Sequence, residues 1–336
     1  MNGSAEKLPW IEMYRPSNME EILSHGHIID SIKIFLKKKS LPHLLFYGPS
    51  GTGKTSTILC CSKQLYGSYS TLATLMINAS NDRGIDTVRN TVKNFVTSNI
   101  SLYLPPEMSG LFKLVVLDEI DSMTNDAQGM LRQTIEKYSE TTRFCLICNN
   151  IDKVNPALQS RCALFRFPAL NKKCVSKKLR SICDIRGIEY DLEAISAIVK
   201  TSKGDLRASI NILQYISSAN NNIITSDAIY GLTGTCGPEL ALSFANILDG
   251  RTKKGKEQPI STIIKKAETM AVENNITISD LLNKLSEYII NSDCSDTRKI
   301  KIMDKLAKFE IYDASNIDDR ISIMNIAALF KYCRDD

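Results

Sequence analysis

Short apolar runs alternate with helical periodicities through the first half of the chain. Residues 44–47 (LLFY), 74–78 (TLMIN), 113–118 (KLVVLD), 143–148 (RFCLIC) and 163–167 (ALFRF) read as five strands. Between them, residues 54–65, 85–97 and 124–138 carry helical spacing. In the second of these Ile85, Val88, Val92 and Phe95 share one face, and in the third Ala127, Met130, Leu131, Thr134 and Ile135 do. Strand–helix alternation predicts an α/β fold: a parallel five-stranded sheet with helices on both faces. After Pro168 the period becomes helical, over 172–186, 191–201, 204–218 and 225–231, and again from Pro238 onward around a polar stretch at 249–258. The expected organisation is an α/β domain over 1–168, a helical lid over 169–232 and an all-α domain over 233–336.

Composition narrows the function classes. A length of 336 residues leaves room for two or three domains, and 43% hydrophobic with 24% charged residues is ordinary for a globular chain. No run of about 18 apolar residues reads as a membrane span, so no membrane partner is expected. The start, MNGSAEKLPW, lacks the apolar core of a secretory signal, and the expected location is inside the cell. Ten cysteines sit mostly in apolar runs such as TILCCSKQL, and Cys145-x-x-Cys148 has no second pair to complete a zinc site. They read as reduced packing residues. His25, His27 and His43 are too scattered for a metal centre. A net charge of +5 is compatible with nucleic-acid contact but does not demand it.

The chemistry concentrates at Gly48-Pro49-Ser50-Gly51-Thr52-Gly53-Lys54-Thr55, which fits GxxxxGK[ST] between a strand and a helix. Glycines let backbone N–H groups curl around phosphates, and the following helix points its N-terminus at the same anion. Lys54 is placed to reach the β- and γ-phosphates of ATP, and the Thr55 hydroxyl to ligate Mg²⁺. Ser56 follows on the same turn. In LVVLDEID, Asp118 ends a buried strand where its carboxylate can hold the Mg²⁺. Glu119, next to it, can orient or deprotonate an attacking water.

With these two motifs on the page, the chain resembles the small subunits of replication factor C, the clamp-loader ATPases of the AAA+ type. YRP (14–16), LPHLLFYGPSGTGKTSTI (41–58), NASNDRGID (78–86), TRFCLICN (142–149), PALQSRC (156–162) and GDLRASIN (204–211) carry the resemblance. Within the family the wording LPHLLFYGP and TRFCLICN is most similar to the subunit numbered 3 in yeast and 5 in human. The resemblance implies that Ile11, Glu12, Tyr14, Arg15, Pro16 and Leu23 cover the adenine, that Asn149 is a polar sensor near the γ-phosphate, and that Arg207 touches the nucleotide from the lid. It implies that Arg161 acts in trans, on the ATP of a neighbouring subunit, and that the last domain is an oligomerisation collar. The implied activity is ATP hydrolysis within a hetero-oligomer, most simply a pentamer, that loads a ring-shaped sliding clamp onto primer–template DNA. The implied location is the nucleus.

Arg83, Arg89 and Lys93 lie off the apolar face of their helix, and Arg132 off that of the next one. Their residue reading is balanced between a solvated face and a phosphate-tracking stripe; the resemblance favours DNA. The stretch 97–112, with two prolines and Leu102, Tyr103 and Leu104, is a candidate clamp-facing loop. Departures from the family wording are Ser50 for a proline, Asn81 for an aspartate, Gln133 for an arginine, and Gly129-Met130 for Asn-Ala. Two other classes remain open at this point. One is an initiator or branch-migration motor, which usually ends in a winged-helix domain; the helical stripes of the last hundred residues argue against it. The other is a subunit that binds ATP without hydrolysing it, against which Lys54, Asp118, Glu119 and Arg161 are all present.

Overall fold

The computed structural model describes residues 8–38, 40–80, 88–98, 105, 111–220, 222–250, 258–274, 277–292, 295–313 and 319–332. They group into two compact units: Met1–Arg186 with Ser202–Gln214, and Gly187–Thr201 with Tyr215–Asp336.

The first unit is built on five parallel strands, β1 (Leu44–Tyr47), β2 (Thr74–Asn78), β3 (Lys113–Asp118), β4 (Thr142–Cys148) and β5 (Ala163–Arg166). Their spatial order is β2-β3-β4-β1-β5. The strands read as continuous apolar runs because both faces are covered. Alternation sorts them: Leu44, Phe46, Leu114, Val116, Cys145 and Ile147 face one core, and Leu45, Val115, Leu117, Phe144, Leu146 and Cys148 the other. Helices α1 (Trp10–Met13), α2 (Gly26–Lys37), α3 (Lys54–Tyr66) and α4 (Ser70–Ala73) precede β2 in sequence. Ile32, Ile58 and Tyr66 from α2 and α3 fill the first core.

The second core is covered by a π-helical turn (Val88–Val92) leading into α5 (Lys93–Thr97), and by α6 (Asn125–Lys137). The expected regular helix over 85–97 is therefore broken into a wide turn and a short α-helix, with residues 81–87 outside the described ones. Within its described part Val92 is buried and Phe95 half-buried, while Ile85 and the Val88 side chain lie outside. On α6 Ala127, Leu131 and Ile135 are buried as expected, but Met130 and Thr134 are only half-buried. Gln128 is buried with them because its amide is fully used: Nε2 donates to the Lys153 carbonyl at 3.0 Å and Oε1 accepts from Asn155 N–H at 2.7 Å. A short helix α7 (Pro156–Gln159) follows, capped by the Asn155 side chain. The unit closes with α8 (Lys172–Arg186) and the first part of α10 (Leu206–Ala219).

Parallel register brings the C-terminal ends of the strands to one edge. Tyr47 pairs with Cys148, and Asn78 with Asp118. The chain leaves β1 toward β2, which lies three places away across β4 and β3. That order reversal is the crevice where ligands of open α/β sheets bind.

The second unit opens with two two-residue strands, β6 (Glu189–Tyr190) and β7 (Ile223–Ile224), paired in parallel. They are too short to show a period and were not expected. Around them lie α9 (Leu192–Thr201) and α11 (Ser226–Thr233). Five longer helices follow: α12 (Pro238–Asp249), α13 (Ile260–Glu273), α14 (Ile278–Asn291), α15 (Asp296–Asp313) and α16 (Asp319–Tyr332). Phe244, Leu281, Leu285, Ile326 and Phe330 form their common core. Among the described residues no helix is long and apolar enough to cross a membrane. The described cysteines are all unpaired, most of them buried.

His43 reports on the N-terminal end of β1, an interior strand. Its Nδ1 accepts the Phe144 N–H at 3.2 Å, and burial, with Arg143 nearby, lowers its pKa from 6.5 to about 4. A histidine kept neutral in the fold costs stability as the unfolded chain begins to take up its proton. Folding free energy should therefore decline between pH 6.5 and about 4. NMR of the ring should find His43 neutral at pH 5.5, and a protonated ring there would refute the assignment.

Candidate nucleotide site

The loop after β1 has a backbone that side chains would obstruct. Gly48 has φ +141°, and a Cβ there would lie 2.0 Å from the Phe167 carbonyl oxygen. Gly51 has φ +65°, and a Cβ there would meet the Asp205 carboxylate. The loop is braced from beneath. Thr52 Oγ1 donates to the Pro49 carbonyl at 3.0 Å, and the buried His25 ring meets the Thr52 carbonyl at 3.1 Å while packing edge-on against Phe167. Gly53 begins α3 with no side-chain cap, so its first N–H groups remain for a ligand.

Lys54 is buried, and its ammonium donates to the carbonyls of Gly48 and Pro49, both at 2.7 Å, and to Asn149 Oδ1 at 3.1 Å. Burial lowers its pKa, and Asp118 opposes that shift. Thr55 Oγ1 donates to Asp118 Oδ2 at 2.8 Å. Asp118 Oδ1 accepts the Glu119 N–H at 2.9 Å. Glu119 itself has left-handed backbone angles, φ 57° and ψ 41°, uncommon for a residue with a side chain. Its carbonyl accepts from Ser122 N–H and Oγ, which holds the turn. Asp121, not singled out from sequence, accepts the N–H groups of Asn149 and Asn150, each at 3.2 Å. It ties the end of β4 to the turn after β3, and its only sequence signal is its place in the DEID string.

One cavity collects these groups. It is lined by Ile11, Glu12, Tyr14, Arg15, Pro16 and Leu23 on one side, by Ser50 to Ser56 along the loop, and by Asp118, Glu119, Asn149 and Arg207. Gly48 and Pro49 support it from behind through Lys54. Residues missed by sequence reasoning also line it: Glu21, Ile22, Leu170, Lys178, Leu206 and Ile210. Ile22 and Leu170 are buried residues of irregular segments and the others sit at ordinary helical positions, so no local pattern marked them. The apolar side chains suit a planar base, and the loop and its lysine suit phosphates. Thr55 and Asp118 offer two adjacent oxygens that fit a divalent cation. No group of three His, Cys, Asp or Glu gathers among the described residues, so such a cation needs phosphate oxygens as further ligands.

Arg161 does not line this cavity. It follows α7, where its guanidinium pairs with Glu136 on α6 and donates to the Ala157 carbonyl at 2.8 Å. Of the basic residues proposed for DNA, Lys93 is exposed on α5 and Arg132 half-buried on α6. Arg83 and the Arg89 side chain lie outside the described residues, as does most of loop 97–112. The ends of that loop are anchored: Lys113 Nζ donates to the Phe95 and Val96 carbonyls at the end of α5, both at 2.8 Å, and Tyr66 Oη to the Phe112 carbonyl at 2.6 Å.

Comparison with known proteins agrees with this geometry. Residues 44–169 match the family model described as ATPase family associated with various cellular activities (AAA). A protein of Acanthamoeba polyphaga mimivirus named for a replication factor C small subunit is 48% identical over 97% of this chain and 95% of its own length. Replication factor C subunit 5 of Mus musculus is 37% identical over 98% and 94%. Subunit 3 of Schizosaccharomyces pombe is 36% identical over 98% and 92%.

Ser50 is tied to the α10 side of the cavity: its Oγ donates to Asp205 Oδ2 at 2.5 Å, while Asp205 Oδ1 accepts the Ala208 N–H at 3.0 Å to cap α10. The Leu206 N–H adds a bond to the Gly51 carbonyl at 3.3 Å. Ser50→Ala should therefore lower stability by about 0.5–1.5 kcal/mol. The readout is the urea midpoint without nucleotide; an unchanged midpoint would remove this link.

Proposed function

The chain belongs to the replication factor C small-subunit family of AAA ATPases, and we propose that it is one subunit of a pentameric loader that places a sliding clamp on primer–template DNA. The observation that carries this reading is the gathering of Lys54, Thr55, Asp118, Glu119, Asn149 and Arg207 around one cavity at one sheet edge. ATP is the nucleotide proposed. Lys54 would exchange its loop carbonyls for phosphate oxygens, and Asn149 would turn with it. Thr55 and Asp118 would hold Mg²⁺, which when bound neutralises phosphate charge. Glu119 would orient and deprotonate the attacking water. Arg207 would contact the nucleotide from the lid helix.

Arg161 would serve a different site. Its absence from this chain's own cavity lining and its half-exposed pairing with Glu136 suit a guanidinium delivered across a subunit boundary. Each ATP would then be hydrolysed between two subunits. The proposed working parts are 1–168 for nucleotide, 169–232 as lid and 233–336 as collar. Arg83, Arg89, Lys93 and Arg132 are the proposed phosphate contacts on DNA, and the proposed compartment is the nucleus.

Glu119→Gln in the assembled complex should keep ATP binding and lower turnover by about 10²–10⁴-fold. Arg161→Ala should leave this chain's ATP affinity intact and remove roughly 10³-fold from hydrolysis next door. The isolated chain should be a poor ATPase; rapid, DNA-independent turnover by it would sink the reading. Replacing Lys93 and Arg132 by alanine should weaken DNA binding alike for all sequences and flatten the log K against log salt plot by about 0.9 per lost phosphate contact. Titrations at several salt concentrations check this, and an unchanged slope would place the DNA elsewhere.

A further inference from the structure

We propose that Arg186, at the end of α8, is a positioning residue that sets nucleotide affinity by holding the Trp10–Pro16 segment as the apolar wall of the cavity. The inference rests on reading that cavity as a nucleotide site.

The wall has little to hold it in place by itself. Helix α1 is four residues long, buries no side chain and has no side-chain cap. A single turn is the costly part of a helix to form, so this one depends on outside contacts. Yet Ile11, Glu12, Tyr14, Arg15 and Pro16 all line the cavity.

Arg186 supplies those contacts. Its Nε donates to Tyr14 Oη at 2.8 Å. Its guanidinium carbon lies 5.0 Å from the Trp10 ring centroid and 5.8 Å from that of Tyr14. The two rings meet edge-on at 6.3 Å, so one cation is shared between both aromatic partners. A guanidinium can stack on a ring and donate in its own plane at once; an ammonium cannot. Because both rings belong to the segment, the contact fixes its position and its rotation.

A second tether comes from α10. The Trp10 N–H donates to Gln214 Oε1 at 2.9 Å. Arg207, Ile210 and Gln214 stand at i, i+3 and i+7, one face of that helix. Arg207 and Ile210 line the cavity, while Gln214 holds the wall. The apolar wall and the phosphate-facing arginine are thus carried by the same helix face. A nucleotide that draws Arg207 inward would also settle Trp10 to Pro16 over its base.

The test is ATP titration of the full chain by calorimetry, beside inorganic triphosphate as a probe that lacks the base. Arg186→Ala should raise the Kd for ATP about tenfold and leave that for triphosphate unchanged. Arg186→Lys and Tyr14→Phe should each give a smaller loss, about threefold, and the two losses should not add when combined. In the assembled complex KM for ATP should rise while kcat stays within about twofold, because no reacting group is moved. Equal ATP affinity of parent and Arg186→Ala would overturn the proposal, as would equal losses for ATP and triphosphate. If Arg186→Ala fails to fold, Arg186→Lys and Tyr14→Phe carry the same comparison. A parent chain that binds no ATP would overturn the nucleotide reading itself, which separates the two failures.

Discussion

A buried ammonium whose direct acceptors are all uncharged oxygens organises this molecule. Lys54 is held by two loop carbonyls and the Asn149 amide, with Asp118 acting from farther off. Desolvation makes such a cation expensive and leaves it ready to exchange its acceptors for a stronger anion. The loop must curl to present those carbonyls, which is why Gly48 sits where the Phe167 carbonyl leaves no space for a side chain. Strand β1 must lie beside β4 for Asn149, from the end of β4, to reach the same point.

Around that cation the remaining contacts form a chain of dependence. Asp118 engages Thr55 with one oxygen and the Glu119 backbone with the other. Asp121 links the same turn to the start of the loop carrying Asn149. Glu119 occupies a strained backbone region that the neighbouring bonds over-determine. A ligand that separates Thr55 from Asp118 therefore acts on the Glu119 turn directly, with no long pathway needed.

The same loop is joined to α10 through Ser50 and Asp205. A proline at position 50 would offer no hydroxyl to Asp205. The serine gives this chain a polar link between its phosphate loop and the helix bearing Arg207. With Arg186 and Gln214 on the opposite wall, helices α8 and α10 touch the cavity region at both ends. Arg161 stands apart from all of this, and its pairing with Glu136 keeps a charged fork oriented at the surface.

Much of this was legible in order along the chain. The five strands carried period-2 or continuous apolar runs, and the phosphate loop and the DEID turn carried residue types that few other roles demand. Their bounds in the structure differ by a residue or so. The helix expected over 85–97 was misread in detail because apolar spacing does not distinguish a π turn from an α turn. Most of loop 97–112, and Arg83, lie outside the described residues. What sequence alone determined was the local chemistry: strand, loop, lysine, paired acids and the alternation that specifies a parallel sheet. What only the tertiary structure decided was who meets whom across long separations: Asp121 with Asn149, Ser50 with Asp205, Arg186 with Trp10 and Tyr14. Periodicity records which face of an element is buried, but not the partner it is buried against. Those partners arise only when strand order and helix packing bring distant residues within hydrogen-bond reach.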